Sequence, residues 1–202
     1  MIGFIILAAG ASARLGRAKQ NLLYKGKTLL EHAADSALDA GAQLVVVVTG
    51  ANADSLASMD NRPGVVLVHN ENWEKGMGES IKTGVRYLVE RAKALEAILV
   101  MLCDQPFVDA NVLKKIQNQY QKTGKGIVAS SFGGVMSAPA LFDRKYFANL
   151  LELSGAEGAK KLFSQYKADL NSVESIESKM DIDTEQDYLA LISGESVEKD
   201  VR

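Results

Sequence analysis

Five short apolar runs set the limits on how this chain can fold: Gly3–Ala8, Gln43–Thr49, Val65–His69, Ala97–Leu102 and Ile127–Ser131. Each is rich in Val, Ile or Leu, and none alternates apolar with polar residues. A strand with one wet face alternates, so runs of this kind belong to strands covered on both faces, as in a parallel sheet. Between them the apolar period changes to three and four. Leu30, Ala33, Ala34, Ala37 and Leu38 fall on one helical face, with Gly41 placed to end that helix. Ile81, Val85, Leu88, Ala92 and Leu95 repeat similarly, as do Val112, Ile116 and Tyr120. Strands alternating with helices predict an α/β sandwich with a mostly parallel sheet. Val135–Phe142 and Ser172–Ile176 are further strand candidates, with antiparallel pairing open to them, and a last helix is expected over Glu185–Ile192.

The 202 residues fit a single domain over 1–192, followed by a polar, charged tail over 193–202. Basic residues number 23 and acidic ones 25, a net charge of −2, so the overall balance supports neither nucleic-acid nor membrane binding. Any positive charge that holds phosphate must be local. Cys103 is the one cysteine, which rules out an intrachain disulfide and suits a reducing compartment. No apolar run approaches the roughly 20 residues of a membrane helix, and the amino end lacks the basic region of a secretory signal. The expectation is a soluble, cytoplasmic protein.

In open parallel sheets, ligands sit beyond the carboxyl ends of the strands. The segments to search are therefore Ala9–Lys19, Gly50–Asn52, Asn70–Ser80, Cys103–Phe107 and Ser131–Pro139. The first departs from both common phosphate motifs. A P-loop has four residues between its glycines and a lysine directly after the second; here five separate Gly10 from Gly16, and Arg17 follows. The G-x-G-x-x-G fingerprint is absent as well. What remains is a small-residue loop that lets backbone N–H groups approach a ligand, with Arg14 and Lys19 able to neutralise phosphates. A solvated basic turn is the plainer alternative.

In "MLCDQPF", Asp104 follows a strongly apolar strand directly. A carboxylate there can hold a hard divalent cation, and Mg²⁺ is typically bound by one or two carboxylates plus substrate phosphates; it can equally shape a turn before Pro106. In "KMDIDTEQDY", Asp181 and Asp183 are two apart and share one side of an extended segment. Either Asp183 or Thr184 can cap the helix that begins at Glu185, and Asp183 is a second candidate metal ligand. In "NENWEKGMGESIKTG", Gly76, Gly78 and Ser80 mark a helix start whose donors can bind an anion or a base edge, with simple capping as the alternative. Trp73 either covers a ligand or packs on its neighbours. His32, His69 and Cys103 have no partner at catalytic spacing and read as structural. The chain shows no nucleophile–base pair, and phosphoryl-type transfer by positioning and charge neutralisation needs none.

Taken together, these segments resemble a known set. "LAAGASARLGRAKQNL" resembles the L-A-A-G-x-S-x-R-x-G-x-x-K signature of the nucleotidyltransferases that act on the molybdenum cofactor. "NWEKGMGESIKTGV", "CDQP" and "DIDTEQDY" resemble the later segments of that family in the same order, over roughly residues 3 to 192. The resemblance implies a three-layer, Rossmann-like fold of the nucleotide-diphospho-sugar-transferase type. It also implies a Mg²⁺-dependent reaction in which a phosphate of the molybdenum–molybdopterin cofactor attacks the α-phosphorus of CTP and releases pyrophosphate. By position, Leu7, Ala8, Ala9 and Gly10 border the base and ribose. Arg14 and Lys19 hold the β- and γ-phosphates as catalytic residues, Asp104 ligates Mg²⁺ with Asp183 as a second carboxylate, and Gly78 and Ser80 help fix the nucleotide. Ala9 leans towards CTP, since the guanylyltransferase branch typically has glycine there. The implied partners are CTP or another NTP, a molybdopterin-type phosphorylated acceptor and a molybdoenzyme that receives the product.

Two segments depart from the family pattern. Ser137-Ala138-Pro139 stands where a Gly-His-Pro-like turn is expected, and "GAEGA" stands where Gly-Asp-x-Gly-Ala is expected, with Ala156 in place of the acid and Glu157 one position late. Both segments belong to the acceptor side. GTP as donor, a sugar phosphate as acceptor, and a non-catalytic carrier of the cofactor are the alternatives to weigh.

Overall fold

The computed structural model describes residues 1–59, 61–155 and 158–194. Its main sheet has seven strands. In chain order they are β1 (Ile2–Ala8), β4 (Val45–Thr49), β5 (Val65–His69), β6 (Ala97–Leu102), β7 (Ile127–Phe132), β8 (Val135–Asp143) and β9 (Leu170–Glu174). A small hairpin, β2 (Leu23–Tyr24) with β3 (Lys27–Thr28), stands apart. The spatial order is β5-β4-β1-β6-β8-β7-β9. β5, β4, β1 and β6 are mutually parallel, whereas β8 runs antiparallel to both of its neighbours.

The expected burial is found. β1 and β4 are almost entirely enclosed because helices cover both faces. Phe4, Ile6 and Val47 point to the side packed by α1 (Leu29–Asp39) and α3 (Ala110–Thr123). Ile5, Val46 and Val48 point to the side of α2 (Met77–Arg91) and α4 (Phe147–Leu151), while α5 (Lys160–Gln165) adds Leu162 and Phe163 to that layer. Each fully buried aliphatic side chain of this kind contributes about 1.5–3 kcal/mol. Local chemistry sets the helix ends. Thr28 and Glu31 form a capping box at α1, and Asp109 caps α3 through two backbone amides. At α6 (Glu185–Ser193) the cap is Thr184, paired with Asp187, which leaves Asp183 outside the cap.

Of the two further strand candidates, β8 is antiparallel, joined to β7 through Gly133-Gly134, both at positive φ as a tight hairpin turn requires. β9 is parallel to β7, since α4 and α5 intervene and give the chain length to cross over. The segment Ser137-Ala138-Pro139 is a bulge within β8: Ala140 faces Ala129 and Ser137 faces Ser130, so Ala138 and Pro139 stand out of the ladder. Proline has no N–H to give the ladder, which suits it to such a site. Ala156 and Glu157 of "GAEGA" and residues 195–202 of the tail lie outside the described residues. No described helix is long and apolar enough to cross a membrane.

Candidate active site

Chain direction around β1 fixes where a site can form. From β1 the chain goes by way of α1 to β4 on one side, and from β5 by way of α2 to β6 on the other. The crevice at such a switch point opens beyond the carboxyl ends of β1 and β6. A cleft of about 430 Å³ lies there. The end of β1 and the loop after it line it from Leu7 through Arg14, together with Lys19, Gln20, Trp73, Ser80, Asp104 and Asp183 among others. Leu7, Ala8, Ala9, Gly10, Arg14, Lys19, Ser80, Asp104 and Asp183 thus come together although up to 176 positions separate them in the chain.

The charged centre is compact. Lys19 Nζ lies 3.2 Å from Asp104 Oδ2 and also donates to Asp183 Oδ1. Arg14 Nη2 lies 3.0 Å from Asp183 Oδ2. The Lys19 amide donates to Ser12 Oγ at 3.1 Å, which folds the loop back on itself. Burial alone lowers the pKa of Lys19, but the hydrogen bond to Asp183 and the charges of Asp104 and Asp183 outweigh it, so the ammonium is held above its ordinary value. Burial raises the pKa of Asp104, against the opposing pull of Lys19. Asp104 Oδ1 is buried with no hydrogen-bond partner among the described residues, a costly state for a carboxylate oxygen that nothing coordinates.

Those donors suit a hard cation. Two carboxylates converge on Lys19, and one of them has an orphaned oxygen; Mg²⁺ is typically held by one or two carboxylates together with substrate phosphates. Among the described residues no group of three or more His, Cys, Asp or Glu side chains is placed to hold a metal ion, so a cation at Asp104 and Asp183 would need further ligands from a bound molecule or solvent.

Several residues behave differently from a plain reading of the chain. Gly78 does not line the cleft; its amide donates to Gly155 O at 3.1 Å. A Cβ there would lie 3.1 Å from Ser154 N, so its size lets the turn at 153–155 close on α2. Ser80 is buried and accepts from Asn70 Nδ2 at 3.0 Å. Arg17 is not merely solvated: it pairs with Glu185 at 2.7 Å and its guanidinium lies 4.9 Å from the Tyr188 ring centre. Asp181 turns to Gln105, and Asp183 to Lys19 and Arg14. Trp73 lines the cleft, and Gly50 makes that possible, since a Cβ at position 50 would lie 2.5 Å from Ala9 O and 2.7 Å from Trp73 Cβ. The Gly50 contact was open to detection only as a glycine directly after a buried strand. Cys103 is buried, and burial with the neighbouring Asp104 charge pushes its thiol far above the usual range, so it is no nucleophile.

With this geometry established, comparison with known proteins adds the following. A family profile described as a MobA-like NTP transferase domain matches residues 4–170. The chain is similar to nicotine blue oxidoreductase of Paenarthrobacter nicotinovorans, 34% identical over 141 residues that cover 69% of this chain and 66% of that one. It is similar to the purine catabolism protein PucB of Bacillus subtilis, 28% identical, with 91% and 92% covered. It is also similar to the molybdenum cofactor cytidylyltransferase of Escherichia coli, 23% identical, with 93% and 94% covered. In three dimensions it is similar to Rv0371c from Mycobacterium tuberculosis, with a TM-score of 0.79, 27% identity, and coverage of 96% and 98%. A structure of Rv0371c in complex with manganese aligns with a TM-score of 0.75, at 25% identity and 95% and 98% coverage.

Proposed function

We propose a specific reaction for a chain that belongs to the MobA-like NTP transferase family and has the nucleotide-diphospho-sugar transferase fold: transfer of CMP from CTP to the molybdenum–molybdopterin cofactor, with release of pyrophosphate. The observation that carries it is the meeting of Lys19, Arg14, Asp104 and Asp183 beside a small-residue loop at the end of β1. The full-length alignment with a relative named molybdenum cofactor cytidylyltransferase supports the choice of acceptor and base. Manganese in the related Rv0371c structure supports a divalent cation.

In this reading Leu7 to Gly10 form the rest for base and ribose, and Trp73 closes the same side of the cleft. An oxygen of the acceptor phosphate attacks the α-phosphorus in line, a new P–O bond forms, and the bond to the pyrophosphate oxygen breaks. Arg14 and Lys19 leave Asp183 to hold the departing β- and γ-phosphates, which offsets the charge that develops there. Asp104 and Asp183 would hold Mg²⁺, which when bound neutralises phosphate oxygens and orients them. The exchange is electrostatically even, because the phosphates replace carboxylates as partners of the two cations. A cytoplasmic site of action and delivery of the product to a molybdoenzyme belong to the same proposal.

The 34%-identical relative's name favours a second reading, in which the cleft serves a redox reaction on another small molecule. One panel separates the two: purified protein, Mg²⁺, each NTP in turn, and molybdopterin cofactor or sugar phosphates as acceptor, with pyrophosphate as readout. Release from CTP with the molybdenum cofactor is the expected result. Preference for GTP moves the assignment to guanylyl transfer. Absence of pyrophosphate with every pair overturns the nucleotidyl-transfer reading and leaves the redox one.

A further inference from the structure

Ser80 faces the cleft from near the start of α2, whereas Ile81 lines a smaller cavity of about 220 Å³ that shares Leu7, Met77 and Leu102 with the cleft. Ser80 is only 4% exposed, and Asn70, directly after β5, only 3%. Asn70 Nδ2 donates to Ser80 Oγ at 3.0 Å. The reverse polarity is closed to this pair, because Asn70 Oδ1 accepts from the Asn72 amide at 3.0 Å and so fixes which way the side-chain amide points. The Asn70 backbone is held as well: its N–H donates to Thr49 O at 2.9 Å and its carbonyl accepts from the Trp73 amide at 3.2 Å. A serine hydroxyl has two lone pairs and one hydrogen. Asn70 occupies a lone pair, which leaves the hydrogen. Helical hydroxyls often turn back to the carbonyl four residues earlier, as Thr83 does to Glu79 O at 2.9 Å. Among the described residues neither that carbonyl nor any other group accepts from Ser80. A buried hydroxyl on a cleft wall with its hydrogen uncommitted calls for an acceptor on a bound molecule.

We propose that Asn70 is a positioning residue for the choice of base: by holding a lone pair of Ser80 it keeps the hydroxyl hydrogen turned to the cleft. The inference rests on the nucleotidyl-transfer reading and adds to it how one pyrimidine is told from the other. Ser80 takes no part in the ion pairs of Arg14, Lys19, Asp104 and Asp183 that handle phosphate in that reading. It belongs instead to the segment of Trp73, which comes close to Ala9 across Gly50, on the side where the base rests. Cytosine and uracil have the same outline and differ along one edge. Cytosine carries a bare ring nitrogen, N3, where uracil carries an N–H. A hydroxyl that can only donate pairs with the first and meets the second donor to donor, which leaves both donors unpaired. Turned over, the same serine would favour uracil. Ser80 therefore meets the base, and Asn70 decides which base it welcomes.

The test measures binding of CTP and of UTP to the whole protein by calorimetry, with Mg²⁺, at about pH 8, where an aspartate is ionised. Wild type is expected to bind CTP about tenfold or more tighter than UTP, the scale of one hydrogen bond and one unpaired donor. Asn70→Asp keeps the acceptor for the Asn72 amide and replaces the Nδ2 donor by a second acceptor. Ser80 must then give its hydrogen to the new carboxylate and turn a lone pair to the cleft, so the preference for CTP is expected to vanish or reverse. A merely structural role for Asn70 would weaken both nucleotides by one factor; an unchanged ratio in the folded variant overturns the inference. Ser80→Ala removes the donor and is expected to bring the ratio within about threefold of one. An unchanged ratio there overturns the inference too, whether or not Asn70→Asp folds. Wild type that binds the two nucleotides equally, or prefers UTP, does the same. Wild type that binds neither overturns the nucleotidyl-transfer reading instead, so the two failures are distinct.

Discussion

The cleft at the ends of β1 and β6 and the cavity beside it share three wall residues and are otherwise opposite in character. At the centre of the cleft Arg14 and Lys19 pair with Asp104 and Asp183, and Glu74 adds a third carboxylate to the lining, so any phosphate that enters must compete with Asp183 for Arg14 and Lys19. The cavity walls are mostly apolar, with Gln105, Ser137, Lys160 and Asp181 as the polar side chains of the lining. In the proposed reaction, handling of phosphate therefore depends on electrostatics that salt and substitution change strongly.

The largest expected separation comes from Asp104→Ala. Turnover should fall by about a thousandfold or more, the scale of losing several kcal/mol of charge stabilisation, while the fold, read by circular dichroism, stays as in wild type. If pyrophosphate release stays near wild type, Asp104 has no part in the chemistry. Lys19→Met should lower kcat about a hundredfold and also lower the melting temperature, since it leaves Asp104 buried without its counter-charge. Gly50→Ala crowds Ala9 O and Trp73 Cβ; an overpacking cost of about 1–3 kcal/mol is expected, with weaker CTP binding by calorimetry.

Two smaller effects test the scaffold rather than either site. Asp169 lies at the amino end of β9, across the sheet from the cleft. Partial burial would raise its pKa, but hydrogen bonds from Lys145, Tyr146 and the Gly126 amide hold it at about 2. A carboxylate with a depressed folded pKa stabilises fully above its unfolded value near 4 and loses that contribution as pH falls towards 2. Asp169→Asn should therefore cost roughly 2 kcal/mol at neutral pH and flatten the acid limb of a urea-unfolding series between about pH 4 and 2. A slope unchanged by the substitution contradicts the assignment. Arg17→Ala should cost under about 1 kcal/mol, because its pair with Glu185 is half exposed, and should leave kcat within a fewfold of wild type.

What the sequence disclosed follows the same division. The cleft is assembled largely from short contiguous segments that each end a buried strand, so Ala9, Gly10, Arg14, Lys19 and Asp104 could be singled out by position, whereas Leu7 and Ala8, inside β1, came from the family resemblance. The unalternating Val and Ile runs revealed the parallel strands for the same local reason. The cavity could not be read in this way. Gln105, Phe142 and Phe163 lie on different elements, and nothing local indicates that the β8 bulge aims the Ala138 carbonyl at Gln105. Asp181 and Asp183 share one side of the chain, yet Gln105 draws one and Lys19 the other, a division set by tertiary packing. Gly78 stands beside a nucleotide motif in the chain, but in the fold its place is fixed by the turn at 153–155.

The most direct measurement follows a phosphorus label. CTP carrying ³²P at the α-position is incubated with the protein, Mg²⁺ and molybdenum–molybdopterin cofactor, and label and pyrophosphate are counted together. The account predicts that label moves to the cofactor in step with pyrophosphate, one for one. Label that stays on the nucleotide, as CTP or as CMP with the cofactor unlabelled, contradicts it.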